Sequence, residues 1–183
     1  MNKKIIGFSG SLREASFNKT ILAHMAEQDY EGLDIEIISL QDIPLFNGDE
    51  EEGGDPEAVA VFKQKIKEAE GLLIMTPEYS HGTPGVLKNA LDWAGSMTNE
   101  NVLYRKPVMI AGASPTKMGT GFSQAQLRQT LAACEAYPLQ QPQVFINVVH
   151  KKIENGKLID EGTIRFLETA AGAFYGWIDQ LQK

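Results

Sequence analysis

Five short runs rich in Ile, Val, Leu and Met alternate along the chain with longer segments whose apolar residues recur every three or four positions. This alternation is typical of βαβ units, in which helices join the parallel strands of one sheet and cover both of its faces. The runs predict strands over residues 3–9, 34–39, 71–76, 107–112 and 143–148. The sequence therefore predicts an α/β fold built on a five-stranded, mainly parallel sheet.

The second run differs from the others because it alternates charged and apolar residues. Asp34 and Glu36 alternate with Ile35 and Ile37, so one face of this strand is expected to meet solvent, as at the edge of a sheet. A sheet with its second strand at the edge fits the doubly wound order 2-1-3-4-5. Such sheets bind ligands beyond the carboxyl ends of their strands, near the switch point between strands one and three. This rule selects the loops after strands one, three and four as the candidate site.

Several residues predict where helices and turns begin. Ser16 is expected to cap the first helix, while Pro56 and Pro84 are each expected at the first position of a later helix. The Asn-Gly pair at 155–156 predicts a hairpin turn. The acidic, glycine-rich segment 46–55 predicts a solvated loop, with the border of a site or a partner as the alternative.

Length and composition favour a single domain over residues 1–183. Of these residues, 43% are apolar and 22% are charged, which allows a full core without disorder.

The formal net charge of −7 disfavours nucleic acid or an anionic membrane as a partner, because both attract clustered Lys and Arg. The beginning of the chain lacks the apolar stretch of a signal peptide, and no run is long enough to span a bilayer. A cytoplasmic protein is therefore expected.

The loop after the first predicted strand reads GSLREASFN, residues 10–18. Four of its polar side chains lie near the beginning of a predicted helix: Ser11, Arg13, Ser16 and Asn18. Free N–H groups and the helix dipole favour an anion there, and a guanidinium can meet two phosphate oxygens at once. The spacing matches neither a GxGxxG dinucleotide loop nor a nucleoside-triphosphate loop. An ordinary strand-to-helix turn, with Ser16 as its cap and Arg13 in water, explains the residues about equally well.

The loop after the third predicted strand is stiff and carries an aromatic ring. Prolines and glycines within TPEYSHGTPG, residues 76–85, restrict the path of the backbone, and Tyr79 offers a flat surface. Such a loop suits a planar heterocycle. The alternative is a well-ordered turn in which Thr83 caps the next helix and His81 is simply exposed.

The loop after the fourth predicted strand leads into a helix through small and polar residues. It reads GASPTKMGTG over residues 112–121 and contains Ser114 and Gly119. Close approach of the backbone to a ligand explains the glycines, and entry into the helix explains them nearly as well. The loop is thus a candidate border of the same site.

The sequence does not indicate a metal site or a catalytic nucleophile. The histidines, His24, His81 and His150, fall on different predicted elements, and the chain has no CxxC or HExxH pattern. Cys134 lies on the apolar stripe of a predicted helix, which indicates packing. The stretch GFSGS lacks the second glycine of a nucleophile elbow, so a serine hydrolase is excluded.

Together, the loops resemble those of the NAD(P)H-dependent FMN reductase family, flavodoxin-like proteins that include quinone, azo-dye and chromate reductases. The stretch GSLREASFN is similar to the family's Gly-Ser-x-Arg-x-x-Ser-x-Asn phosphate loop, and PEYSHGTPGVLKNALDW is similar to its Pro-Glu-Tyr-Asn flavin loop with the following helix. Ser80 stands where the family usually has Asn, and the loop after strand four is less glycine-rich. The resemblance covers nearly the whole chain and implies a flavodoxin-like fold.

The resemblance also implies which residues surround the cofactor. The FMN phosphate would contact Ser11, Arg13, Ser16 and Asn18. The flavin ring would follow Pro77, Glu78, Tyr79 and Ser80, with Ser114 and Gly119 on its other border. Tyr79 and His81 are expected near the space that the nicotinamide and the acceptor share.

The activity implied by the resemblance is a two-step reduction. The flavin would take a hydride from NADPH or NADH and then pass electrons to a quinone, flavin, azo or metal-oxyanion acceptor in a ping-pong cycle. No side chain is needed as a catalytic acid or base. Family members are usually homodimers or homotetramers, so at least a dimer is expected.

Two other functions stay open at this point. A flavodoxin-type electron carrier would hold FMN and pass single electrons between proteins, although Arg13 departs from the hydroxyl-rich phosphate loop of such carriers. A non-catalytic sensor would bind flavin or nucleotide without turnover, since a fold does not fix a function. A receiver domain is excluded because strands one and three end in Ser9 and Thr76 instead of aspartates.

Overall fold

The computed structural model describes residues 2–28, 30 and 32–182, and its centre is a parallel sheet. The strands are β1 (Lys3–Ser9), β2 (Leu33–Ile37), β3 (Gly71–Met75), β4 (Pro107–Ala113), β5 (Tyr137–Pro138) and β6 (Val144–Ile146). They lie in the order β2-β1-β3-β4-β5, and β6 also pairs with β4. The doubly wound order predicted from the sequence is confirmed.

The last position of the sheet is shared by two short strands. β5 pairs with Pro107 and Val108 at the beginning of β4, whereas β6 pairs with residues 111–113 at its end. The prediction of one strand over 143–148 is therefore only partly right. Pro138 has no N–H to donate to a ladder, which suits β5 to an edge and keeps it short.

Helices cover both faces of the sheet. They are α1 (Phe17–Glu27), α2 (Gly48–Glu52), α3 (Glu57–Glu68), α4 (Gly85–Gly95), α5 (Gly121–Ala133) and α6 (Glu161–Leu181). α1 and α6 pack on one face, and α3, α4 and α5 pack on the other, which gives two hydrophobic cores. Ile5 and Ile6 of β1 belong to different cores because successive side chains of a strand point to opposite faces. Among the helices that the structure describes, none has the length and apolar character needed to cross a bilayer.

β2 lies at the edge of the sheet, as its alternating pattern predicts. Leu33 at its beginning is buried, whereas Ile37 at its end is 46% exposed. Among the described strands, β2 pairs with β1 alone. Asp34 is exposed, whereas Glu36 is half-buried and forms ion pairs with Lys4 and Lys65, so the prediction that one face meets solvent is only partly right.

The beginnings of the helices confirm one predicted cap and shift two others. The Ser16 hydroxyl accepts a hydrogen bond from the backbone of α1 at 3.4 Å. Pro56 and Pro84 lie one residue before their helices, so the prediction of a first helical position is wrong by one residue. Their ψ angles of 148° and 140° are still extended, although the carbonyl group of each already accepts a helical hydrogen bond. The predicted hairpin is confirmed as β7 (Ile153–Glu154) and β8 (Lys157–Leu158).

The acidic segment 46–55 is only partly solvated, which corrects the prediction of a plain loop. It contains α2, and its Glu51 side chain is only 1% exposed. Glu51 Oε2 accepts a hydrogen bond from the Ser96 hydroxyl at 2.7 Å. The buried Lys63 ammonium lies 2.9 Å from Asp55 and 3.9 Å from Glu51. A buried carboxylate is tolerated here because a cation and a hydroxyl compensate for the water that it has lost.

Candidate active site

The three predicted loops meet in a cleft of about 90 Å³ at the carboxyl ends of β1, β3 and β4. Its lining residues are Ser11, Arg13, Ser16, Phe17, Asn18, Pro77, Glu78, Tyr79, Ala113, Ser114 and Pro115. The structure thus brings the predicted site residues together, except Ser80, His81 and Gly119, which do not line this cleft. Phe17, Ala113 and Pro115 were missed by sequence reasoning, and the signal for them was adjacency to predicted residues.

The loop after β1 offers several hydrogen-bond donors at the beginning of α1. The Ser11 hydroxyl is buried and lies 3.4 Å from the Tyr79 hydroxyl, across the cleft. Arg13 is exposed and forms an ion pair with none of the described carboxylates. Ser16 caps α1, whose first N–H groups have no acceptor within the helix and whose dipole favours an anion.

Asn18 uses its amide to connect α1 with the end of β4. Its Nδ2 donates to the carbonyl oxygen of Ala113 at 2.9 Å, and its Oδ1 accepts from the N–H of Ala113, also at 2.9 Å. The side chain is 3% exposed. Asn18 therefore lines the cleft and links the first turn of α1 to the last residue of β4, because its acceptor and one of its donors are already engaged.

Glu78 holds the loop after β3 against the beginning of α5. One carboxylate oxygen, Oε2, accepts hydrogen bonds from the N–H groups of Phe122 at 2.8 Å and Ser123 at 3.1 Å. These groups belong to the first turn of α5, where a negative charge also interacts favourably with the helix dipole. The structure thus gives Glu78 a capping role that its position in the sequence does not indicate.

The loop after β3 contains a tight turn of strained residues. Tyr79 and Gly82 exchange two backbone hydrogen bonds, at 2.9 and 3.3 Å. Ser80 and His81 between them have φ angles of 50° and 57°, as in a type I′ turn. The left-handed conformation costs roughly 1–2 kcal/mol for each L-residue. Ser80 and His81 form the exposed tip of this turn, and the His81 ring lies 5.0 Å from the ring of Phe122.

The loop after β4 divides between the cleft and the protein interior. Ser114 lines the cleft, and its hydroxyl accepts a hydrogen bond from the N–H of Thr116 at 3.1 Å. Gly119 has a φ of 64° and packs against Phe145, whose Cβ would lie 3.1 Å from an added Cβ. The structure therefore explains this glycine by its left-handed backbone and close packing instead of by a contact in the cleft.

Comparison with known proteins identifies the family. The model of the NADPH-dependent FMN reductase family matches residues 3–151. The chain belongs to this family. An NAD(P)H-dependent FMN reductase of Pseudomonas aeruginosa is 37% identical over 180 residues, which cover 98% of this chain and 97% of the relative. A 2-hydroxy-1,4-benzoquinone reductase of a Burkholderia species is 37% identical over 182 residues, which cover 97% of each chain.

A solved structure agrees with this assignment. The flavoenzyme NAD(P)H:(acceptor) oxidoreductase of Paracoccus denitrificans superposes with a TM-score of 0.85 and 31% identity, covering 97% of this chain and 98% of that one. The flavodoxin-like α/β fold is therefore confirmed. The chain is an FMN-dependent oxidoreductase that uses NAD(P)H, as the family resemblance implies.

The residues of the cleft fit one end of FMN, its phosphate. A guanidinium, two serine hydroxyls and the beginning of α1 are donors that suit a phosphate. Glu78 also lines the cleft, but its negative charge is already met by two N–H groups of α5. Sites that enclose a drug-sized ligand measure roughly 300–1,000 Å³, so a cleft of about 90 Å³ cannot enclose a three-ring heterocycle. The ring would have to lie along the outer borders of the cleft.

Proposed function

We propose that this enzyme reduces quinones and related two-electron acceptors with NAD(P)H, in a ping-pong cycle on FMN. The observation that carries the proposal is that the loop after β1, which contains Arg13, and the loop after β3, which contains Tyr79, meet at one cleft. The relatives that are named quinone reductases support the class of acceptor. We infer that residues 1–183 form the single domain expected from the sequence and that this domain carries the activity.

The first part of the proposal concerns the phosphate. Ser11, Arg13 and Ser16 would hold it at the beginning of α1, where the helix dipole adds to the charge of the guanidinium. Asn18 would act through the backbone, since its amide keeps the end of β4 beside α1. Holding this charged end orients the rest of the cofactor toward the loop after β3.

The second part concerns the ring and the two substrates. FMN, when bound, accepts a hydride from the nicotinamide and passes electrons to the acceptor. The backbone from Pro77 to Ser80 would lie along one border of the ring and Ser114 along the other. Tyr79 is 48% exposed beside this space, and His81 is exposed at the tip of the same turn. A single open surface would serve both substrates, so the oxidised nicotinamide must leave before the acceptor binds.

The test is the visible spectrum of the purified protein after incubation with FMN and desalting. We expect retained flavin that NADPH or NADH bleaches without oxygen and that a benzoquinone restores. Retained flavin that neither donor bleaches would contradict the reductase and favour an electron carrier or a sensor. Loss of flavin on desalting would contradict the assignment of the cleft as the site of the FMN phosphate.

The remaining expectations concern assembly and location. We infer a homodimer or homotetramer in the cytoplasm, as the family resemblance and the sequence suggest. Exposed apolar side chains around α4 support a contact between subunits there, including Leu45 at 82% and Met97 at 76% exposure.

A further inference from the structure

The strained turn Tyr79–Gly82 needs support from outside itself. Two consecutive L-residues in the left-handed region persist only where the surrounding structure holds them. This turn carries the Tyr79 side chain, which lines the cleft and is 48% exposed, and the exposed His81 side chain, whose ring lies 5.0 Å from that of Phe122. Whatever holds the turn therefore also holds these two rings.

An amide of α5 provides that support. Oε1 of Gln126 accepts a hydrogen bond from the N–H of Thr83 at 3.0 Å, and its Nε2 donates to the carbonyl oxygen of His81 at 3.4 Å. One side chain thus holds backbone groups on both sides of Gly82. A Cβ added at Gly82 would lie 3.0 Å from Gln126 Oε1, so the glycine leaves room for the amide.

Neighbouring contacts show that the turn rests on the first two turns of α5. The Thr83 hydroxyl donates to the carbonyl oxygen of Ser123 at 3.1 Å. Glu78 holds the N–H groups at the beginning of the same helix, and the His81 ring lies beside Phe122. In this arrangement Gln126 contacts the backbone of His81 and Thr83, where the chain leaves the turn.

We propose that Gln126 is a positioning residue for the reaction, and that it sets the place of the Tyr79–Gly82 turn on which the acceptor is oriented. Gln126 does not line the cleft that would hold the phosphate, and it acts only through the backbone of the turn. The proposal rests on the proposed function, because it assumes that the acceptor binds beside this turn. Its effect should appear in the KM of the acceptor, since the cofactor stays bound while the orienting surface loosens.

The test compares Gln126→Met with Gln129→Met, an exposed glutamine on the same helix. In Gln126→Met we expect faster hydrogen exchange of the Thr83 amide, measured by NMR in the FMN-free protein, because its acceptor is lost. We also expect the KM for 1,4-benzoquinone to rise about three- to tenfold, as the loss of neutral hydrogen bonds predicts. The kcat and the Kd for FMN should change less than this KM, because Ser11, Arg13 and Ser16 would still hold the phosphate. Gln126→Glu keeps the acceptor for Thr83 and should lie between the parent and Gln126→Met.

Three results would overturn the proposal. Unchanged exchange at Thr83 would show that the amide does not hold the turn. Faster exchange with an unchanged KM would show that the turn does not orient the acceptor. Equal effects in the Gln129→Met control would show that any change on α5 suffices. If the parent protein turns over no quinone at all, the proposed function fails by itself, and the exchange rate alone then decides whether Gln126 holds the turn.

Discussion

At the scale of single residues, Arg13 is the one cationic side chain among the described residues that line the cleft. Hydrogen bonds to charged groups contribute about 1.5–3 kcal/mol, so Arg13→Ala should weaken FMN binding about 10- to 100-fold. Riboflavin lacks the phosphate and should bind both proteins equally, as measured by quenching of flavin fluorescence. Arg165→Ala, on the exposed surface of α6, serves as the control. An equal loss for both flavins would contradict a phosphate contact.

Asn18 illustrates a residue whose effect should appear in stability. Asn18→Ala leaves the N–H and the carbonyl group of Ala113 without their present partner in a buried place. We expect the free energy of unfolding to fall by about 2–4 kcal/mol, since each buried polar group left unpaired costs about 1–3 kcal/mol. Urea unfolding measures this, with Asn47→Ala at the exposed cap of α2 as the control. Equal losses in the two variants would contradict the role of Asn18 in linking α1 to the end of β4.

At the scale of elements, the Tyr79–Gly82 turn carries strain that another residue could relieve. Asn adopts the left-handed conformation more readily than Ser, so Ser80→Asn should raise the free energy of unfolding by about 0.5–1 kcal/mol. Thermal unfolding measures the change, and Ser80→Ala, which gains no such preference, is the matched control. Similar stability of the two variants would show that the turn is not strained at Ser80.

The cap of α6 gives the chain a pH-dependent contribution to stability. Asp160 Oδ1 accepts hydrogen bonds from the hydroxyl of Thr163 at 2.6 Å and from its N–H at 2.8 Å, and these bonds lower the pKa of Asp160 below its ordinary value of 3.8. The lowered pKa stabilises the fold above pH 3.8, and this contribution is lost as the pH falls through the pKa of the folded state. The difference in urea midpoint between the parent and Asp160→Asn should therefore shrink between pH 6 and pH 3. A difference independent of pH would contradict this assignment.

At the scale of the whole molecule, apolar side chains remain exposed beside α4. The carbonyl group of Pro44 accepts hydrogen bonds from Asn89 and Trp93 of α4, which fixes the neighbouring Leu45 on that side. Met97 follows the end of the same helix. Burial of these side chains in a subunit contact would remove apolar surface from water.

We therefore expect sedimentation velocity to give at least twice the 20.1 kDa mass of one chain. The double variant Leu45→Glu/Met97→Glu should shift the protein toward the monomer, because a dimer would bury the new charges. Ile159→Glu, at an exposed position just before α6, should leave the assembly unchanged. A parent protein that is monomeric at micromolar concentration would contradict the inferred assembly.

The sequence by itself determined the order of the main sheet and the two loops with specific motifs. Short, continuous apolar runs predict strands that are buried on both faces, and the alternation in β2 predicts a strand at the edge. These two patterns are enough to predict the order of the strands. The donors of the Arg13 loop follow from the same local logic, since a helix beginning is recognisable from neighbouring residues.

The tertiary structure alone decided how the candidate site is held together. Asn18 meets Ala113 across 95 positions of the chain, and Glu78 meets Phe122 across 44. No local periodicity encodes such contacts, because they depend on which loops the folded sheet brings to the same edge. The same reason explains why Gly119 packs against Phe145 instead of lining the cleft, and why two short strands share the last position of the sheet.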